Sequence, residues 1–313
     1  MNIIGHRKIF LSISGILVLI SIIVVAVFGL RPGIDFVGGT LWQIKVSSIK
    51  YPAYTKVSAG RQVSSDNLKD FFEKELGIRN LTVYPESSSQ SFLIRLGHIS
   101  ETEHQQYLQA LNTKFGEIEE LRFETIGPTI GKELKKKALW AIIFVLLGIS
   151  LYIAFAFRKV SYPIKSWKYG IITLITLFHD VSIPVGFLAI FGWRLGIELD
   201  TNFIVALLVI MGFSVHDTIV VFDRIRENLL INRHRLELGE IVNQSVNQTF
   251  MRSINTSLTL VFVLLTLFFL GPVSLKYFVL VILLGTIIGT YSSIFVASPL
   301  LTLRKISGSI LRK

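Results

Sequence analysis

The chain has 313 residues, 51% of them hydrophobic, and a formal net charge of +11, with a mean hydropathy of +0.59. Such a composition excludes a soluble globular chain. The lack of any cysteine excludes disulfides, thiolate nucleophiles and cysteine-ligated metals.

Apolar runs long enough to cross about 30 Å of hydrocarbon recur six times, at 9–30, 138–157, 169–191, 201–222, 253–270 and 275–297. The first is too long for a signal-peptide core and has no small-residue cleavage site after Phe28, so it reads as a retained span. The basic residues follow the spans. Arg7 and Lys8 precede the first, and Arg158, Lys159, Lys165 and Lys168 lie between the second and third. Arg224, Arg226, Arg233 and Arg235 follow the fourth, and Arg304, Lys305, Arg312 and Lys313 follow the sixth. The short opposite loops carry only Arg194 and Lys276. The positive-inside rule then makes both termini cytoplasmic. The basic excess is an orientation signal with some anionic-lipid contact, and no nucleic-acid partner is expected.

In chain order, residues 1–30 form the N-terminus and first helix, and residues 31–137 break the hydrophobic pattern. That polar segment is long enough to fold alone and falls outside the cytoplasm. Residues 40–46 alternate like a strand, and 65–76 carry Leu68, Phe71, Phe72 and Leu76 near helical spacing. Two short strands follow at 81–84 and 91–96. Ser100 and Glu103 make a capping box for a helix with Tyr107, Leu108, Leu111 and Phe115 as its apolar stripe. A last strand spans 121–126. The order βαββαβ predicts a ferredoxin-like α+β domain between the first two of six transmembrane helices in an α-helical polytopic membrane protein. Residues 132–137 read as a solvated juxtamembrane helix. Residues 138–303 form a five-helix bundle, with a cytoplasmic loop at 223–250 whose apolar positions suit interfacial helices. Residues 304–313 are a cytoplasmic tail.

The chemistry concentrates inside the spans. Asp217 lies in the fourth, beside His216 and after Gly212 and Ser214. Arg252 opens the fifth with Asn255, Thr256 and Ser257, and His179 and Asp180 sit near the middle of the third, before Pro184. A carboxylate at the bilayer centre costs about 2.5–3.5 kcal/mol on insertion scales, so such groups face a bundle interior and have a partner or a task. Histidine and a buried carboxyl both exchange protons near neutrality, while arginine stays charged. Asp217 and Arg252 therefore read as a proton-coupled pair, with Asp180 as a relay and His216 and His179 as relay or tuning groups. Fixed ion-pair and histidine glue between helices is the structural alternative. Metal binding is not expected, because adjacent residues point to different helix faces. Gly285 and Gly289, with Ser292, Ser293 and Ala297, form a small-residue stripe for helix packing, and Gly212 joins that packing class. No phosphate-binding glycine loop or hydrolase triad is present, and no enzymatic activity or cofactor is expected.

The run Gly33-Ile34-Asp35-Phe36-Val37-Gly38-Gly39-Thr40, outside the first span, resembles the signature of the SecD/SecF family of bacterial protein-export membrane subunits. Residues 212–228, from Gly212-Phe213-Ser214-Val215-His216-Asp217 through Asp223-Arg224-Ile225-Arg226-Glu227-Asn228, resemble the fourth-span motif of its SecF branch. Arg252-Ser253-Ile254-Asn255-Thr256-Ser257 resembles the fifth-span opening, and His179-Asp180-Val181 fits the third. The similarity covers essentially the whole chain. It implies membership of the resistance-nodulation-division superfamily and a complex with SecD near the SecY channel in the cytoplasmic (inner) membrane. It also implies that proton movement, with sodium as the alternative coupling ion, drives late export of a translocating preprotein after an ATP-driven motor. The acid–base pair carries onto Asp217 and Arg252. The residue before Asp217, often asparagine in this family, is His216 here. Two other classes compete: a small-molecule exporter of the same superfamily, and a passive membrane scaffold.

Overall fold

A computed structural model describes residues 1–46, 64–78, 81–86, 91–158, 164–232, 236–272 and 275–303. Lys159, Arg233, Arg235, Arg304, Lys305, Arg312 and Lys313, which entered the orientation argument, lie outside the described residues. The chain divides into two compact units, Met1–Arg31 with Ala138–Lys313, and Pro32–Lys137.

The first unit is a helical membrane bundle. Among the described residues, six helices are long and apolar enough to cross a bilayer: α1 (Arg7–Phe28), α5 (Pro128–Ala156), α6 (Ser166–Leu195), α7 (Thr201–Ile231), α8 (Leu238–Leu270) and α9 (Lys276–Ser292). The last continues through a π turn (Ser293–Ala297) into the short α10 (Ser298–Thr302). This is the multi-pass membrane architecture that the hydropathy pattern predicts. The polar stretch at 223–250 differs from expectation, because α7 runs on to Ile231 and α8 already begins at Leu238. The reason is an apolar stripe that persists beyond the bilayer-length segment. Ile225, Leu229, Ile241, Val242 and Val246 stay in the core, so the two helices continue as a hairpin. Its polar seam is closed by Asn228 Nδ2, which donates to Ser245 Oγ at 2.8 Å and Gln248 Oε1 at 2.9 Å. The N-terminus fastens onto the same hairpin, where Asn243 Oδ1 accepts from the Ile3 and Ile4 amides.

The second unit opens with a single helical turn, α2 (Ile34–Val37), followed by β1 (Gly39–Val46), α3 (Ser65–Lys74), β2 (Thr82–Glu86), β3 (Ser91–Leu96), α4 (Glu101–Phe115) and β4 (Ile118–Ile126). The sheet order is β2-β3-β1-β4, with every neighbouring pair antiparallel. This is the ferredoxin-like arrangement the βαββαβ pattern predicts. The capping box also forms, with Ser100 N donating to Glu103 Oε2 at 2.7 Å and Glu103 N to Ser100 Oγ at 3.4 Å.

The glycine pair of the signature has a conformational cause. Gly38 and Gly39 have φ of +77° and +132°, a region that side chains rarely tolerate. A Cβ on Gly38 would also stand 2.8 Å from Pro128 Cα, and one on Gly39 2.9 Å from the Leu96 carbonyl. Gly131, which the sequence pattern did not single out, completes this close packing: its Cβ would lie 2.9 Å from the Gly38 nitrogen. Gly33 is the N-cap residue of α2, and Phe36 within it is buried. With Asp35 in the same turn, the signature is a backbone-packing device.

β4 begins at Ile118, three residues before the predicted start, because Lys45 and Val46 extend β1 and pair with Glu119 and Ile118. A register shift between Gln43 and Ile44 leaves Leu121 as the extra residue and turns Glu120 onto the face of Trp42 and Ile44. Glu120 Oε2 there accepts from Trp42 Nε1 at 2.7 Å and lies 2.6 Å from His104 Nε2. The His104 ring stacks on Phe123 with centroids 3.6 Å apart.

Candidate site: two carboxylates inside the membrane unit

The helices around the candidate site approach each other through glycine. A Cβ on Gly285 would fall 2.3 Å from Ile210 Cδ1, and one on Gly289 would fall 3.1 Å from Ser214 Cβ. These two glycines, one turn apart on α9, seat Ile210 and Ser214, one turn apart on α7. Backbone-level approach of this kind is what small residues permit in membrane helices. Gly212, expected in the same packing class, lies off this contact. It is exposed and a Cβ there would meet nothing within 4 Å, because the packing face of α7 runs through 210, 214 and 217.

One turn beyond Gly289, the same approach brings hydroxyls onto carboxylates. Asp180 on α6 is 0% exposed and Asp217 on α7 is 4% exposed. Asp180 Oδ2 accepts from Ser214 Oγ at 2.5 Å and from Ser292 Oγ at 2.7 Å, while His179 Nδ1 lies 2.8 Å from Oδ1. Asp217 Oδ2 accepts a short hydrogen bond from Ser293 Oγ. Three helices thus supply the partners of Asp180. Pro184 adds to this polarity, since it lacks the N–H that would otherwise bond the Asp180 backbone carbonyl. Ser257 Oγ and Thr290 Oγ1, 2.5 Å apart, tie α8 to α9 at the same level.

His179 is a buried neighbour of Asp180, 4% exposed. With Asp180 ionised, Nδ1–H is the donor and Nε2 carries the lone pair. Nε2 is buried and has no hydrogen-bond partner among the described residues. Adjacent residues point to different helix faces, yet here they bond to each other and to a common interior.

The other predicted site residues lie apart. His216 is exposed. Arg252 is also exposed, and among the described residues it forms no ion pair or hydrogen bond with Asp217. The cause is the rotation of α8: Ser253 and Ser257 turn inward, which puts Arg252 on the outer flank. Sequence reasoning assigned Ser292 and Ser293 to packing and missed them as partners of the carboxylates. The available signal was their consecutive placement in an apolar span of a bundle that holds two buried acids.

The model for the family described as protein export membrane protein SecD/SecF, C-terminal, matches residues 106–306. The SecD/SecF GG motif matches residues 23–48. Among relatives, a protein translocase subunit SecF from Thermobaculum terrenum is 43% identical over 303 residues, covering 96% of this chain and 92% of the relative. A second, from Anaerolinea thermophila, is 37% identical over 97% of this chain and 94% of that one. The crystal structure of SecDF, a translocon-associated membrane protein from Thermus thermophilus, superposes with a TM-score of 0.79 at 34% identity. That match covers 96% of this chain and 38% of the SecDF chain.

Proposed function

This chain belongs to the SecF family of protein translocase subunits, and from that premise we propose that it couples proton movement across the cytoplasmic membrane to late steps of preprotein export. Its partner is SecD, since relatives carry the two as a single SecDF chain. The pair acts beside the SecY channel after an ATP-driven motor has pushed the preprotein. Both termini face the cytoplasm, and the ferredoxin-like unit faces the opposite side.

One observation carries the reading: two carboxylates buried in the membrane unit are held by neutral hydroxyls and a histidine, with no lysine or arginine paired to either among the described residues. Fixed glue would favour a permanent counter-ion. A carboxylate held by hydroxyls changes its protonation without leaving an unpaired cation behind. Asp217 and Asp180 are the proton-binding groups, and His179 Nε2 is the exchange position next to Asp180. His216 contributes at most to tuning, as it faces outward. Arg252 presents its guanidinium at the surface of the bundle, where a SecD helix or another state of the membrane unit brings it to a carboxylate. The proton is the coupling ion, with sodium as the alternative, and no cofactor takes part. Each proton supplies about 2.3 kcal/mol per 100 mV, enough to shift a conformational equilibrium tens-fold. Many cycles therefore accompany one preprotein.

Pulse-chase export of a secreted preprotein tests this in cells whose only copy carries Asp217→Asn at matched membrane abundance. Delayed precursor processing is expected. Processing at the wild-type rate would return Asp217 to a packing role, and toxic-compound sensitivity with normal processing would favour the small-molecule exporter.

A further inference from the structure

The serines at the end of α9 each have one hydrogen and two acceptors. Ser292 Oγ lies 2.7 Å from Asp180 Oδ2 and 3.0 Å from the Gly289 carbonyl. Ser293 Oγ lies against Asp217 Oδ2 and 2.9 Å from the Thr290 carbonyl. A hydroxyl donates one hydrogen, and an ionised carboxylate wins it, since charge-assisted bonds are roughly twice as strong as neutral ones. A protonated carboxyl instead donates its own hydrogen to the serine oxygen. The serine hydrogen then turns to the carbonyl one turn back.

The backbone here is not held in a single ladder. Ser293 opens the π turn, and Pro299 lacks the N–H that would otherwise bond the Phe295 carbonyl. The Ser293 carbonyl also accepts from Ser298 Oγ at 3.1 Å. Such π turns inside α-helices are frequent at functional sites.

We propose that Ser292 and Ser293 are positioning residues that couple the protonation of Asp180 to that of Asp217 through this α-to-π junction. The inference rests on the proton-coupled reading and deepens it. When Asp217 takes a proton, the Ser293 hydrogen moves from the carboxylate to the Thr290 carbonyl. The junction adjusts, and Ser292, covalently next to Ser293, shifts against Asp180.

The test uses the full chain with SecD in native membranes. Dicyclohexylcarbodiimide attacks protonated carboxyls within apolar spans, and peptide mass spectrometry counts adducts at Asp180 and Asp217 separately. Asp217→Asn imitates the protonated, neutral state. It should change the labelling rate at Asp180 by roughly fivefold, the size of a common interaction energy between residues in one network. In a Ser293→Ala or Ser292→Ala background the change should shrink to within about twofold. Ser293→Cys, similar in shape but a weaker donor, should give an intermediate ratio. Ser182→Ala, which removes a hydroxyl that donates to the Phe178 carbonyl within α6, should leave the full change. A fivefold change that survives Ser293→Ala would mean that the carboxylates sense each other directly through space, and would overturn the proposal. So would no response of Asp180 to Asp217→Asn. Failure of the underlying reading looks different, namely wild-type export by Asp217→Asn whatever the labelling shows.

Discussion

Ser292 and Ser293 are neighbours in the chain, yet their hydroxyls go to carboxylates on different helices, Asp180 on α6 and Asp217 on α7. In a regular α-helix consecutive side chains diverge by about 100°, so the last residue of α9 and the first of the π turn sit between two acids and touch both. That placement depends on how closely α9 approaches α7.

The approach is testable at Gly285. A Cβ there would overlap Ile210, a β-branched side chain with little rotamer freedom that is buried in the bundle. Gly285→Ala should cost about 1–3 kcal/mol, the usual penalty of overpacking. Adding Ile210→Ala should recover part of it. Gly212→Ala should be neutral or stabilising by up to about 1 kcal/mol, because its surroundings are open and alanine favours the helix. Thermal unfolding of the purified chain in detergent orders the variants.

A second pair of glycines differs both in space and in conformation, since Gly38 has ψ of 165°, a region essentially restricted to glycine. Gly38 and Gly77 have similar positive φ, +77° and +69°, but a Cβ would strike Pro128 only at Gly38. Gly77→Ala should cost roughly 1–2 kcal/mol for the left-handed backbone alone. Gly38→Ala should cost more, and hydrogen exchange in β1 and β4 is the place to measure it.

Glu120 is predicted to hold the core of the sheet unit together from the polar side. Glu120→Leu leaves Trp42 Nε1 without its 2.7 Å acceptor in a fully buried ring. An unsatisfied buried donor costs about 1–3 kcal/mol. Faster proteolysis of residues 91–126 in the variant, with membrane insertion unchanged, is the expected result.

Acid should loosen the first turn of α4. The Glu103 carboxyl is held below its ordinary range, first by the backbone N–H of Ser100 and then by the Ser100 hydroxyl. Its folded value is below the unfolded one, so the capping box contributes fully above the ordinary carboxylate range near pH ~4.3. That contribution is lost as pH falls through the folded value. Glu101, held low by Gln105 first and His104 second, acts in the same direction. Exchange of the α4 first-turn amides, corrected for intrinsic rates, should therefore rise on acidification. Glu103→Gln should keep the cap and leave only the part of the pH dependence carried by Glu101.

Much of this architecture was legible in the sequence because it rests on periodicity. The six spans, the capping box at Ser100 and the βαββαβ order follow from local patterns that packing then reinforces. The apolar positions between Ile225 and Val246 were legible as helical faces, but not that the fourth and fifth spans themselves run on into them. The carboxylates announced themselves by their cost in an apolar run, but their partners did not. Serine is common in membrane helices for packing alone, and only the glycine-mediated approach of α9 to α7 shows which hydroxyls reach an acid. The side that Arg252 faces was not legible for a related reason: sequence spacing puts it near Asp217 in depth, whereas the rotation of α8 puts it on the exposed flank here.

The glycine seats on α9 also limit how that helix can travel. Ile210 fills the space at Gly285, and among the described residues Gly289 is the next seat on that face. Sliding by a fraction of a turn would drive the Ile210 side chain into the backbone between them. The next register that offers Ile210 a vacancy lies four residues away, about 6 Å along the axis. If α9 moves past α7 during export, it steps like a ratchet instead of creeping.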